Sequence, residues 1–537
     1  MPVQRIGAAT LVLVLVGCVE DVPTQVDDVT ADPSAVAAAA DRTPGTITLE
    51  RIGEFDGGGE AAAEITAFDA VSKRLFVVNG TLGTVDVLEL RDPSWPVHVG
   101  VIDVTPLGAG ANGIAAHGGI VAIAIEAHER TAPGAVAFYR APTLELISSA
   151  TVGSLPDMVT FSPDGRVVLV ANEGEPNADY TVDPEGSVSI IDVHNVNRPV
   201  VRMAGFSGWN GRRDELLASG VRIFGPGASV AQDLEPEYIA VSPDGATAWA
   251  TLQENDALAL IDVASAMVVD ILPLGYKDHS LAGAGFDASD RDNAVNIRPW
   301  PVLGMYQPDA IAAYDVGGRT FLVTANEGDA REYEGSPGFT EEARVSSLTL
   351  DPTVFTDAVC GGPCGSSPWL GRLNVTRTLG LNPQTNQYEA LYSFGARSIS
   401  IWTADGTRVW DSDDALERLT ASLPMVSFNA SNDSDDFDNR SDNKGPEPEG
   451  VVLGRLGRKT FAFAGLERVG GVVVYDVSNP YAPQFVTYVN TRNGISGDLG
   501  PEGVTFVSAR QAPGGEPLLI VGNEISGTTA IFRIALH

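Results

Sequence analysis

Short apolar runs recur along this chain, and each is bounded by turns rich in Pro, Gly, Asp and Ser. A proline followed by an acid opens the clearest runs: Pro156-Asp157-Met158-Val159, Pro236-Glu237-Tyr238-Ile239, Pro308-Asp309-Ala310-Ile311, Pro448-Glu449-Gly450-Val451 and Pro501-Glu502-Gly503-Val504. Weaker copies start near Glu64 and Asn112. Runs of this length between turn signals read as strands, and their regular recurrence reads as a repeat. One such unit cannot bury both of its faces, so the copies must stack on one another. Radial stacking of seven gives a propeller.

The third copy serves as the template. Met158 to Ser162 is a strand, and Ser162-Pro163-Asp164-Gly165 is a tight turn in which Pro sets φ and Gly accepts a positive φ. Val167 to Ala171 is the second strand and ends in Asn172-Glu173-Gly174. The segment Gly186 to Val193 alternates and predicts a third strand. The fourth copy repeats the scheme through Ser242-Pro243-Asp244-Gly245. The starts are unevenly spaced, which predicts loop insertions, the largest over about 194–234, 274–306 and 330–446. Helical periodicity is scarce, and Asp414 to Ala421 is one short candidate. The expected fold is therefore all-β, a seven-bladed β-propeller with long loop insertions occupying 46–537. No helix-period segments alternate with the strands, which disfavours a doubly wound sheet.

Composition agrees with many strands and tight turns: 58 Gly and 34 Pro in 537 residues. Lys and Arg number 34 against 70 Asp and Glu, a formal charge of -36. Such a surface repels phosphate backbones, so no nucleic-acid partner is expected. The acidity serves solubility, and it also raises cation binding as a possibility.

The first residues look like a targeting segment. Arg5 precedes the apolar run Ile6 to Val16, which is too short to span a bilayer comfortably. The run ends in Leu15-Val16-Gly17-Cys18, which looks like a lipobox. The expectation is a lipoprotein signal peptide over 1–17, a lipidated Cys18 and a flexible stalk over 18–45. The protein would then be exported and held as a monomer at a bacterial cell surface or outer membrane, touching the membrane through its lipid anchor only. Cys360 and Cys364 remain, in Cys360-Gly361-Gly362-Pro363-Cys364. In an exported chain such a pair predicts a local disulfide that staples a loop.

Several constellations could carry chemistry. The acids that open the repeats, Asp157, Glu237, Asp309, Glu449 and Glu502, would gather in a ring at one face of a propeller. A second acidic set follows the second strands, at Glu173, Glu327, Glu467 and Glu524, with Glu254 in a reversed variant. Converging carboxylates repel unless a cation, an arginine or protonation offsets them. Glu173, Glu237, Asp309, Glu327, Glu449, Glu502 and Glu524 are accordingly the expected metal ligands, with Ca²⁺ the expected ion. The competing reading is that each acid caps a turn in its own blade. The segment Asn429 to Asn443 is rich in oxygen ligands but lacks EF-hand spacing, so it is either a calcium-ordered loop or a solvated acidic one. Lys277-Asp278-His279 and Asp287-Ala288-Ser289-Asp290-Arg291-Asp292 complete the set. No Gly-x-Ser-x-Gly elbow or P-loop is present.

The motifs around Asn172-Glu173-Gly174-Glu175-Pro176, Asp183-Pro184-Glu185-Gly186, Lys277-Asp278-His279, Asp287 to Asp292, Asn326-Glu327-Gly328-Asp329-Ala330-Arg331, Phe394-Gly395-Ala396-Arg397 and Lys444-Gly445-Pro446-Glu447-Pro448-Glu449-Gly450 together resemble the choice-of-anchor I family, in the same order and over roughly 46–537. The resemblance implies a YVTN/WD40-like propeller displayed on a cell surface. The expected lipid anchor, the stalk and the absence of a complete catalytic constellation favour a binding or adhesion-type module, cation-stabilised, with an unknown surface ligand or protein partner. Some members of that family carry an alkaline-phosphatase label. The alternative is therefore a Ca²⁺-dependent phosphoester hydrolase with Lys277, His279, Arg331 and Arg397 contacting phosphate. A lactonase-like metal propeller is a third, weaker reading.

Overall fold

A computed structural model describes residues 46–424 and 426–537. The signal segment, Cys18 and the stalk lie outside the described residues. Among the described residues the fold is an all-β propeller assembled from four-stranded antiparallel sheets, with no helix long and apolar enough to cross a membrane.

In chain order the sheets begin with the strands Thr66–Asp69, Gly110–His117, Pro156–Phe161, Ile239–Val241, Ile311–Val316, Pro448–Leu456 and Pro501–Val507. Each first strand pairs with the next strand in sequence, and the sheets run outward from it. The last sheet is completed from the other end of the chain: Ile47–Asp56 pairs antiparallel with Thr528–Leu536.

Apolar residues are packed between neighbouring sheets. Phe76, Val85 and Val87 of the first sheet meet Ile114, Val121 and Ile123 of the second. Trp249 and Leu258 of the fourth meet Leu322 and Trp402 of the fifth. Val507, Leu518 and Ile520 of the last meet Leu75, Val77 and Leu88 of the first. Sheets covered on both faces need continuous apolar runs rather than alternation. That explains the middle strands, such as Val167–Asn172, which are buried almost throughout. It also corrects the alternating reading of the third strand. Ser189 is as buried as Ile190 in Ser187–Asp192, because Asn172 donates to its hydroxyl at 3.0 Å. The outer strands face solvent, as in Val97–Asp103.

Antiparallel pairing brings the start of every first strand and the end of every second strand to one face. The connections from second to third strands, and from one sheet to the next, lie on that face too. All the large insertions therefore emerge there, while the Ser-Pro-Asp-Gly turns lie opposite. The insertion expected over 330–446 is in fact two. The fifth sheet's third and fourth strands, Ser398–Thr403 and Arg408–Asp411, lie within that range and divide it. Part of the inserted chain builds its own core from Phe286, Trp300, Phe355, Leu370 and Leu373, closed by the Cys360–Cys364 disulfide. The helix expected near Asp414 runs over Ala415–Ala421, and the insertion after the third sheet adds helices Arg213–Ser219 and Val230–Asp233.

Candidate functional site: an acidic well at the centre of the sheets

The repeating Pro-acid dipeptide has a structural cause. Pro156 pairs with Asn172, but the next pair is Val159 with Val170, so Asp157 and Met158 together face one residue. The same bulge follows Pro448 and Pro501. A bulge of this kind re-aims a side chain. The acid after the proline then stands beside the acid that ends the second strand of its own sheet. Their charges act on one another in each case: Asp157 on Glu173, Glu254 on Glu237, Glu327 on Asp309, Glu467 on Glu449, and Glu524 on Glu502.

The residue after the acid, or after Asn112 in the second copy, shows how closely the sheets approach. A Cβ on Gly113 would lie 2.3 Å from the Asp157 carbonyl oxygen, one on Gly450 would lie 2.0 Å from that of Glu502, and one on Gly503 would lie 2.4 Å from that of Glu64. Each glycine thus meets the acid of the next copy, and the last meets the first. These glycines and the corresponding residues Met158 and Tyr238 line a central cavity of about 350 Å³, together with Asp157, Asp309 and Glu502.

Burial is the main force on these carboxyls, and their neighbours' negative charge adds to it. It raises Asp157 to about 6, Glu64 to about 7 and Glu467 to about 8. Glu173, Glu237, Asp309, Glu449 and Glu502 are pushed well above the ordinary range for the same two reasons. Burial also raises Glu524, against the pull of Arg468. Buried Oε2 atoms of Glu237, Glu449 and Glu502 have no hydrogen-bond partner in the protein. The competing reading, in which each acid is tied to its own blade's backbone, does not describe these three oxygens.

One side of the well carries its own counter-ions. Glu327, Glu447 and Glu467 bring ligand atoms within 4.8 Å of one another, but Lys444 lies 2.5 Å from Glu327 and 3.1 Å from Glu447. Arg440 and Arg468 also pair with Glu447, at 2.5 and 3.3 Å. Burial opposes ionisation of Glu447, yet these three cations hold it down at about 2. Glu327, Glu447 and Glu467 thus have counter-ions at hand, whereas Asp309 and Glu449 of the same two sheets remain pushed well above the ordinary range.

All seven expected metal ligands lie in this constellation. Glu64, Glu254, Glu447, Glu467 and the cations Lys444, Arg440 and Arg468 belong to it as well. Glu447 could have been found from its place two residues before Glu449. The three cations carried no comparable repeat signal.

The residues expected to contact phosphate each have protein partners, and Arg331 alone among them also acts on an acid of the well, Glu254. Lys277 donates to the carbonyls of Ala396 and Asp413 and lies 2.9 Å from Asp411. His279 is buried, paired through Nδ1 with the Ala284 carbonyl at 2.6 Å, and driven down to about 3 by burial and then by Lys277. Arg331 binds Asp233 and Glu235 at 2.7 and 2.9 Å. Arg397 binds Glu417 at 2.6 Å and donates to the carbonyls of Asp287, Ser441 and Asn443. All four side chains are buried, and their bonds hold insertions together.

Residues 64–480 match the sequence model of the choice-of-anchor I domain. A mesenchyme-specific cell surface glycoprotein of Strongylocentrotus purpuratus is 28% identical over 322 residues, which cover 54% of this chain and 40% of that protein. Gigasin-3a of Magallana gigas is 27% identical over 184 residues, 31% of this chain and 64% of that protein. The chain thus spans less than two thirds of either relative. Among solved structures, the β-propeller domain of Cps50 (Swd1) from Myceliophteria thermophila overlays with a TM-score of 0.44 at 8% identity, covering 90% of this chain and 99% of that one.

Proposed function

This chain belongs to the choice-of-anchor I family, and from that premise we propose that it is a surface-associated binding module whose acidic well takes up a cationic group. Its sheets would form the seven blades of one ring, and a lipid on Cys18 would tether it to the membrane. The occupant of the well would be Ca²⁺ or the basic side chain of a surface partner.

One observation carries this reading. Asp157, Asp309 and Glu502 from three different sheets line one cavity, and the buried carboxylate oxygens of Glu237, Glu449 and Glu502 have no hydrogen-bond partner in the protein. Such a site pays an electrostatic penalty that a bound cation would relieve. The phosphoester-hydrolase alternative is not carried forward, because Lys277, His279, Arg331 and Arg397 are committed to separate contacts.

Titration calorimetry of the purified chain with CaCl₂ and with an oligolysine peptide tests the proposal. The wild type should bind at least one of them. A Glu502→Gln, Asp309→Asn double variant should weaken that binding by roughly tenfold or more, since ligand charge sets cation affinity. A folded wild type that binds neither would sink the reading. The tether is tested separately: Cys18→Ser should release the protein from membranes in a detergent-free fractionation.

A further inference from the structure

A second acidic cluster shares no carboxylate with the well. Asp287, Asp292 and Asp438 bring one oxygen each within 4.8 Å of one another. They come from two insertions far apart in the chain, one before the fifth sheet and one after it. Asp287 is fully buried and Asp438 is 1% exposed.

Contacts around the cluster fix it in place. Asp287 accepts from the backbone of Asn296 at 2.5 Å and of Ser289 at 3.3 Å. Its own N–H donates to Glu417 at 2.9 Å. Arg397 spans both insertions through the carbonyls of Asp287 and Ser441. Ser441 donates to one oxygen of Asp438. The other, Oδ2, is buried with no partner. The same loop holds two more buried acceptors without partners, the Oδ1 atoms of Asn429 and Asn443.

Charge separates this cluster from the triad in the well. Glu327, Glu447 and Glu467 are met by Lys444, Arg440 and Arg468. The charges that act most on Asp438 are those of Asp287, Asp292 and Glu417, all negative, and together with burial they raise it to about 8. Three carboxylates in a cramped, oxygen-only setting match the preference of a hard cation. Calcium bonds run about 2.3–2.6 Å, so two ligands on opposite sides of one ion stand roughly 5 Å apart, which suits this spacing.

We propose that Asp287, Asp292 and Asp438 bind a hard divalent cation, Ca²⁺, which pins the 428–443 loop to the 287–296 turn. The ion would steady the strap that goes on to deliver Arg440 and Lys444 into the well. This proposal stands independently of what the well itself binds.

The experiment uses the chelator-treated full chain, titrated with CaCl₂ by calorimetry, with chymotrypsin cleavage at Phe437 followed in parallel. Phe437 is 48% exposed in the loop and offers a cleavage point. The wild type should show a Ca²⁺ site that weakens roughly tenfold or more in Asp438→Asn and in Asp292→Asn, as loss of a charged ligand requires. Ca²⁺ should slow cleavage of the wild type and not of Asp292→Asn. Glu502→Gln should keep this site. Asp292 is half-buried, so its variant decides the matter if Asp438→Asn does not fold. A wild type that takes up no Ca²⁺ overturns the proposal. So does unchanged binding in folded Asp292→Asn, or Ca²⁺ binding abolished by Glu502→Gln.

Discussion

Lys444 Nζ lies 2.5 Å from the Glu327 carboxylate, which ties the strap before the sixth sheet to the end of the fifth sheet's second strand. The same ammonium donates to the Gly328 carbonyl at 2.6 Å and pairs with Glu447. Removing one partner of a buried pair leaves the other charge uncompensated, at about 3–5 kcal/mol. Lys444→Gln should therefore lower unfolding stability by about that amount in urea titrations at pH 7. An unchanged midpoint would show that the contact contributes little.

Gly503 tests how tightly the central strands are drawn together. A methyl group there would sit 2.4 Å from the Glu64 carbonyl oxygen, a backbone atom with little room to retreat. Overpacking of this kind costs about 1–3 kcal/mol. Gly503→Ala should lower the thermal midpoint accordingly. Gly514→Ala, where nothing lies within 4 Å, provides a comparison for an exposed turn glycine, although its positive φ gives it a strain of its own. Equal and negligible losses in both would contradict the close approach.

Asp256 should make stability fall as pH rises. Burial lifts its carboxyl from the ordinary 3.8 to about 7, despite the hydrogen bond it accepts from Gln307 at 2.9 Å. The folded state therefore holds a proton that the unfolded chain has released. The stability this contributes is complete below pH 3.8 and is lost as pH rises through about 7. Asn imitates the neutral acid and does not titrate. The stability of Asp256→Asn relative to wild type should grow by about 1.4 kcal/mol per pH unit across that window. Denaturation curves for both proteins at pH 5 and pH 7 measure it, and a constant difference would refute it.

The Pro-acid openings and Ser-Pro-Asp-Gly turns revealed the sheets because the bulge and the hairpin are local devices with local signatures. Glu173 and Glu502 were placed in one constellation for the same reason: equivalent positions in a repeat converge. The strand Ser398–Thr403 was hidden inside the expected 330–446 insertion, because its partner Arg319–Asn326 precedes a long excursion. Lys444 is not legible as a counter-ion of Glu327, since that pairing depends on how the sixth sheet sits beside the fifth, and Arg468 meets Glu447 only through the folding of the sixth sheet itself. The meeting of Asp287 with Asp438 was likewise invisible, being a product of two insertions folding against each other.

The strand Ile47–Asp56 is hydrogen-bonded to Thr528–Leu536, and the His537 N–H reaches the Thr46 carbonyl at 2.7 Å. Its partner is therefore made only after the chain of every sheet between them. At usual elongation speeds of about 5–20 residues per second, the wait is roughly half a minute to a minute and a half. Throughout that interval the strand has no native partner, and the first sheet lacks the neighbour that covers Leu75 and Val77. Pairing of these two strands converts an open, sticky arc into a circle without a free flank.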